Sequence, residues 1–451
     1  MELRYEGLLV SECKLLGETH NDDVYAAHPN GILVGRDRWL ILYATRGMDG
    51  WDSDRSAIYQ LRRDAPDGPV IKEGMLSAGI YDWDPLGDGN LCFKQHGHPT
   101  GFGVPKGALI HGKPAPHANL FVVKWRVVGM AIDPETRRIF GDDVLDRATQ
   151  DVEWMQIRLN EAEDDIEVVA PPASMRQKGY ESGSQYRTEA KDATWMNATF
   201  VQAVPFSDDC TEWADCNHFS PQGAAAFRYL YNPQRHLYEW VETGPYLFES
   251  SEGRCMFEAS LARWRDKWIV GARIFDRGCA QGMAWLRTDN PFAPGGTIVV
   301  TDTPASTAPR CAYTCSDGVL RLFTGDPTAS PYGDNANPLY CWDIDPDNNF
   351  AATNRQVIFD LREAGILAGQ PKLDMCKLLT PQGNSQTIVY RVAPRFPIPV
   401  GAAVDPAHAW SELDQRKDFN TGFMPEEKQL FGIYHSKLVY SQEVASPWQF
   451  L

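Results

Sequence analysis

The feature that most constrains this chain is a repeat. A short apolar strand runs into a turn built from Asp, Gly, Arg or Asn, a second aromatic-rich strand follows, and often a third. Residues 31–34 turn through Arg36 and Asp37 into 39–45, with 56–61 behind them. Residues 258–264 turn at Arg265 and Asp266 into 267–273, and 282–287 follow. A third copy turns at Ser316-Asp317-Gly318, where the Asp-Gly pair suits a tight hairpin. Further copies fall at 197–204 with 224–231 and 237–241, at 372–379 with 386–392, and, around a longer insertion, at 97–128.

Such units cannot bury both faces alone, so they stack. The pattern predicts an all-β chain, a single β-propeller domain over 1–451 with about seven (six to seven) four-stranded blades. A strand at 433–442 is expected to meet one at 8–16, closing the ring and removing the open edges. Helical spacing is scarce: 152–162 and 356–366 read equally as short helices or as strands. Fourteen Trp, 17 Tyr and 20 Phe suit stacked sheet faces rather than an all-α array. Two β-sandwiches are the competing architecture.

Charge narrows the partners. Sixty acidic against 43 basic residues leave a net −17, a field that repels nucleic acid and anionic membrane. No apolar run approaches the ~20 residues of a membrane span. The start of the chain has no basic flank and apolar stretch of an export signal, so the expected location is cytoplasmic as written, and periplasmic or secreted if a leader was removed. The sequence leaves the oligomeric state unknown. Ten cysteines are too few for a disulfide scaffold and read as buried thiols.

In a propeller the innermost strands line one channel, so groups at equivalent strand starts become neighbours. These starts read His28-Pro29-Asn30, His98-Pro99, Asn197, Glu258, Arg310, and Asp374 with Lys377. All are polar, which strand alternation does not require, and together they predict a binding funnel. Four of the ten histidines, His96, His98, His111 and His117, crowd a Gly- and Pro-broken stretch that ends in His117-Ala118-Asn119. Imidazoles exchange protons near neutrality, so this stretch is the candidate for acid and base work.

On the blade repeats, the His98-Pro99 and His117-Ala118-Asn119 loops, and the Phe257-Glu258-Ala259-Ser260 start, the chain resembles the sialidase-like β-propeller superfamily of carbohydrate-active enzymes. Within it the likeness is greatest to the propeller polysaccharide lyases of the ulvan and rhamnosyl-glucuronate type, and then to related α-L-rhamnosidases. The resemblance implies a lyase that cleaves next to a uronic acid by β-elimination. It also implies a pocket with two histidines about twenty positions apart, then a tyrosine and an arginine. His98 and His117 match the first pair; Tyr180 or Tyr186 and Arg187 are the candidates for the rest. Catalysis is thus expected at His98, His117, Tyr180 and Tyr186. Substrate binding is expected at His28, Asn119, Arg187, Asn197, Glu258, Arg310 and Lys377.

The alternative is a glycoside hydrolase on the same fold, rhamnosidase-like through His20 or His28, or sialidase-like through Arg36, Arg273 and Arg310. A non-catalytic glycan-binding propeller is the third reading. No metal ligand or cofactor is assigned: Cys311 with Cys315, Cys210 with Cys216 and His218, and Asp343-Ile-Asp-Pro-Asp347 leave structural zinc or calcium open without reaching a complete ligand set.

Overall fold

The computed structural model describes residues 1–10, 24–47, 54–84, 89, 91–130, 151–175, 195–197, 203–220, 223–249, 254–276, 279–303, 311–325, 337–360, 372–393, 431–442 and 446–450. Among them every regular element is a strand. Six sheets form six blades of a β-propeller, one fewer than the upper expectation. The number of blades is set by how the wedge-shaped sheets pack around the ring, which a local strand pattern does not encode.

Blade 1 is built from Val24–Gly35, Arg38–Gly47, Asp54–Arg63 and Val70–Ser77, counted from the channel outward. Blade 2 runs Cys92–Val104, Leu120–Met130, Asp151–Leu159 and Ile166–Ser174, with Ile80–Trp83 as a fifth strand on its inner edge. In blade 3 the inner strand is described in two pieces, Trp195–Asn197 and Val204–Pro205, both antiparallel to Glu212–Ser220; Gly223–Asn232 and Leu237–Glu249 follow. Blade 4 holds Arg254–Trp264, Lys267–Asp276, Cys279–Thr288 and Ile298–Thr301. Blade 5 holds Cys311–Thr314, Leu320–Gly325, Leu339–Asp345 and Ala351–Phe359.

Blade 6 takes Lys372–Leu378, Ser385–Ala393 and Gly432–Val439 from the end of the chain, and its outer strand, Glu2–Val10, from the beginning. Glu2 lies opposite Val439 and Val10 opposite Ile433, so first and last strands fasten the ring. The two stretches with ambiguous spacing are resolved as strands: 152–162 falls in Asp151–Leu159, and 356–366 begins in Ala351–Phe359. In Asp151–Leu159 successive residues face opposite neighbours, Val152 toward blade 3 and Met155, Ile157 and Leu159 toward blade 1.

The core is divided by the blades. Six larger apolar clusters fill the six interfaces between neighbours, as where Leu40, Leu42 and Leu61 of blade 1 meet Phe121, Val123 and Trp125 of blade 2. Ala26, Ile41 and Tyr43 meet Val389 and Ile433 of blade 6, which makes the closing interface as apolar as the rest.

The two ends of the channel differ. At the far ends of the inner strands, Ile32, Leu33, Phe102, Leu378 and Leu379 line a cavity of about 210 Å³. Pro447 and Trp448 help to cap it, and Gln449 exchanges two backbone hydrogen bonds with Leu109. Most connections at this end are short, the exception being 105–119 in blade 2, which carries its own small hairpin. The second strands end and the third strands begin at the opposite mouth, and many of the joining segments, 131–150 and 394–430 among them, lie outside the described residues. Binding groups in repeat folds concentrate where the connections are long.

His96, on the inner strand of blade 2, is 2% exposed, and burial holds its imidazole down to about 4. The unfolded chain binds this proton near 6.5, so below that pH it holds more protons than the folded chain, and folding stability falls as pH drops. The loss is expected to reach about 3 kcal/mol by pH 4 from His96 alone. Denaturant titrations between pH 7 and 4 should show it, with a shallower slope in His96→Phe.

Candidate active site

The polar strand starts turn out to share a backbone device. In four blades the pairing of inner with second strand slips at the same place: between Ala27 and Asn30, between Gly97 and Thr100, between Phe257 and Ser260, and between Asp374 and Lys377. The residue that takes up the slip has a left-handed backbone each time, with φ of 52° at His28, 51° at His98, 53° at Glu258 and 55° at Met375. A non-glycine residue held there costs about 1–3 kcal/mol, and bulges of this kind re-aim side chains at the rims of closed sheets. Four equal bulges place His28, His98 and Glu258 around one mouth of the channel.

The second strands supply cations at the same level. Arg126 lies opposite Gly97, Arg273 opposite Phe257 and Arg391 opposite Asp374, each facing the residue just before a bulge; in blade 1 Arg46 stands two residues past the equivalent Ala44. Arg273 Nη1 is 2.7 Å from Glu258 Oε2. Arg391 donates to both Asp374 oxygens at 2.7 Å and, through Nη1, to His28 Nε2 at 2.9 Å.

Asp54 joins these groups. The first residue of the third strand in blade 1, it is fully buried between blades 1 and 2. Its Oδ2 lies 3.0 Å from His28 Nδ1 and 3.5 Å from His98 Nε2, and its Oδ1 3.6 Å from Arg46 Nη1. The imidazoles of His28 and His98 have centroids 3.8 Å apart. One step deeper, Asn30 donates to Thr100 Oγ1 at 2.5 Å, so blades 1 and 2 keep register along the channel. Gly97 makes room for this arrangement, since a Cβ there would overlap the Asp54 carboxylate. Gly97→Ala is therefore expected to displace the Asp54 carboxylate and lower stability by about 1–3 kcal/mol, as overpacking does, which denaturant unfolding measures.

On the other side of the mouth Lys377 is buried. Burial lowers the pKa of its amine, while the Cys311 and Cys376 thiols and Glu258 draw it back up. The hydrogen bond from Cys376 holds the Cys311 thiol below its usual range. Blades 4, 5 and 6 thus contribute a second polar group, Glu258, Cys311 and Lys377.

The three donor atoms of His28, Asp54 and His98 fall within 4.8 Å of one another, a spacing compatible with a metal. Their surroundings do not fit one. A ligating histidine normally gives its second N–H to an acceptor, whereas His28 Nε2 faces Arg391 at 2.9 Å and Arg46 at 3.4 Å, both donors. Two carboxylates, Asp54 and Asp374, already balance Arg46 and Arg391, so a divalent ion would leave the cluster strongly positive.

Among the residues singled out from the sequence, His28 and His98 come into contact at this mouth, and Glu258 and Lys377 lie within electrostatic reach of each other. His117 does not join them. Its neighbour Ala118 bridges to Val104, six residues along the inner strand from His98, or about 20 Å away at the rise of a strand. There its ring packs 5.3 Å from that of Tyr231 and 6.3 Å from that of Tyr238, and burial lowers its pKa. The expected pairing of His98 with His117 in one pocket is corrected accordingly. Asn119 is engaged structurally: its amide donates to Leu159 O at 2.8 Å and accepts from Leu159 N at 2.9 Å. Tyr180, Tyr186, Arg187, Arg310 and His20 lie outside the described residues, as does the side chain of Asn197.

Asp54, Arg46 and Arg391 were not singled out from the sequence. The signal that finds the two arginines is a second repeat, an arginine near the end of the second strand in Thr45-Arg46, Trp125-Arg126, Ala272-Arg273 and Tyr390-Arg391.

No family model matches the chain, and no curated protein matches it. Solved structures do. The NanB sialidase of Streptococcus pneumoniae, in complex with 2-[(3-chlorobenzyl)ammonio]ethanesulfonate, superposes with a TM-score of 0.51 at 8% identity over 87% of this chain and 68% of that one. A mutant of the same enzyme gives 0.50 at 7% identity, over 86% and 68%. Trypanosoma rangeli sialidase gives 0.49 at 8% identity, and the chain spans about half of its length, 52%. At such identities the likeness to NanB speaks for the fold alone: the chain is a β-propeller, here with six blades.

Proposed function

We propose that the chain is a glycoside hydrolase that works at the polar mouth of its channel on a sugar carrying an acidic group. The observation behind this reading is the cluster of His28, His98 and Asp54 flanked by Arg46 and Arg391. It joins a proton-transfer pair to a cationic wall on a strained, repeated scaffold. The cationic side of the mouth would draw an acidic sugar toward it, and an imidazole there gives a proton to the leaving oxygen. Hydrolysis is favoured over β-elimination because the second imidazole of the elimination scheme, His117, belongs to the opposite end. The NanB propeller, which superposes on this chain, is named a sialidase, and that supports the same choice.

The test is turnover of acidic glycosides followed by mass spectrometry. Each product pair should gain one water, and His98→Ala should slow the reaction about 10²–10⁴-fold, the usual worth of one proton-transfer group. Undiminished turnover by folded His98→Ala would sink the assignment.

A further inference from the structure

We infer that the two imidazoles at the mouth have unequal roles: His98 is the group that exchanges a proton, whereas His28, Asp54 and Arg391 are positioning residues that hold it. The inference rests on the reading of this mouth as the working site, but its chemistry is open to test without any turnover.

The lock begins at Arg391. A guanidinium has only donors, so His28 Nε2, 2.9 Å from Arg391 Nη1, must be an acceptor. Arg46 Nη1 approaches the same nitrogen at 3.4 Å. The ring proton of His28 therefore sits on Nδ1, 3.0 Å from Asp54 Oδ2. A second proton, on Nε2, would confront two cationic donors, so His28 stays neutral. Arg391 is itself fixed by its two 2.7 Å bonds to Asp374, a residue with no exposed surface.

His98 meets the opposite environment. Its Nε2 faces the anionic Oδ2 of Asp54 at 3.5 Å, an arrangement that favours the charged ring. The Asp54 charge on its Nε2 side therefore favours uptake of a proton by the His98 ring. The neutrality of His28 also removes the repulsion that two imidazoliums would suffer at 3.8 Å. Among the described residues, the charged and titratable groups around the pair include His28, Arg46, Asp54 and Arg55 from blade 1, Arg126 from blade 2, and Asp374 and Arg391 from blade 6. Asp54 is the shared hinge, touching both rings with one oxygen.

Long-range proton–nitrogen spectra of the full chain with labelled histidines, recorded from pH 5 to 8, test this directly. His28 is expected to remain the neutral Nδ1–H form throughout while His98 titrates. Asp54→Asn should weaken proton binding at His98 at least about tenfold, with a matching shift in the pH profile of turnover, and leave His28 in its tautomer. Arg391→Met should release His28 to titrate. Should either variant fail to fold, the wild-type spectra alone decide. A titrating His28, an Nε2–H tautomer on it, or a His98 that takes up no proton overturns the inference. If the spectra are as expected but His98→Ala retains full turnover, the proton assignment stands and the active-site reading falls.

Discussion

Lys124→Ala is expected to lower the free energy of unfolding by about 3–5 kcal/mol, among the largest losses any single substitution will produce here. Lys124 lies on the second strand of blade 2 and is wholly buried, its amine against the Asp215 carboxylate of blade 3. Tyr229 donates to the same carboxylate oxygen at 3.2 Å, and Asn217 to the other at 3.0 Å. Burial pushes the Asp215 carboxyl up and the Lys124 amine down, while each partner's charge opposes the shift. Removing the amine strands a desolvated anion between two blades. The pair as a whole need not be a net gain, because its desolvation offsets much of its attraction. Lys124→Met combined with Asp215→Leu should thus recover most of the loss, and denaturant unfolding of the single and double variants measures both.

Asp374→Ala is expected to be as costly to stability, again about 3–5 kcal/mol, and costly to function besides. Its carboxylate takes two hydrogen bonds from buried Arg391, the same guanidinium that donates to His28. Without Asp374 the cation is unpaired, and the group fixing the His28 tautomer is free to turn. Adding Arg391→Met to Asp374→Ala removes the stranded charge, so stability should return while turnover stays at least about 10²-fold low. Stability that recovers together with turnover would show the pair to be scaffolding alone.

Much of the fold was legible because hairpins announce themselves locally. Arg36-Asp37, Arg265-Asp266 and Asp317-Gly318 are turns between paired strands, as their composition predicts. The blade number was less legible. Segments such as 131–150 and 394–430 are long enough to suggest further strands, and nothing in a strand's own sequence states how many sheets close a ring.

The site divides the same way. His28, His98 and Glu258 were accessible to sequence reasoning because a polar residue stands where an apolar strand should begin, and that irregularity is the bulge; Lys377 lies two residues past the fourth bulge residue, Met375. His117 misled because closeness in sequence hides direction: the chain runs down the inner strand of blade 2 and reaches the other end before residue 117. Asp54 escaped notice because a lone acid at the start of a third strand carries no pattern, and its role comes from the gap left by Gly97 on the neighbouring blade.

The central claim is that the bulged, arginine-rich mouth is the working end of this propeller. Turnover of an acidic glycoside in ¹⁸O-labelled water, by wild type, His98→Ala and His117→Ala, tests it most directly. The account predicts one labelled oxygen in the released sugar, near-complete loss of product in His98→Ala, and turnover within a few-fold of wild type in His117→Ala. An unlabelled, unsaturated product, or loss of turnover in His117→Ala with His98→Ala fully active, would contradict it.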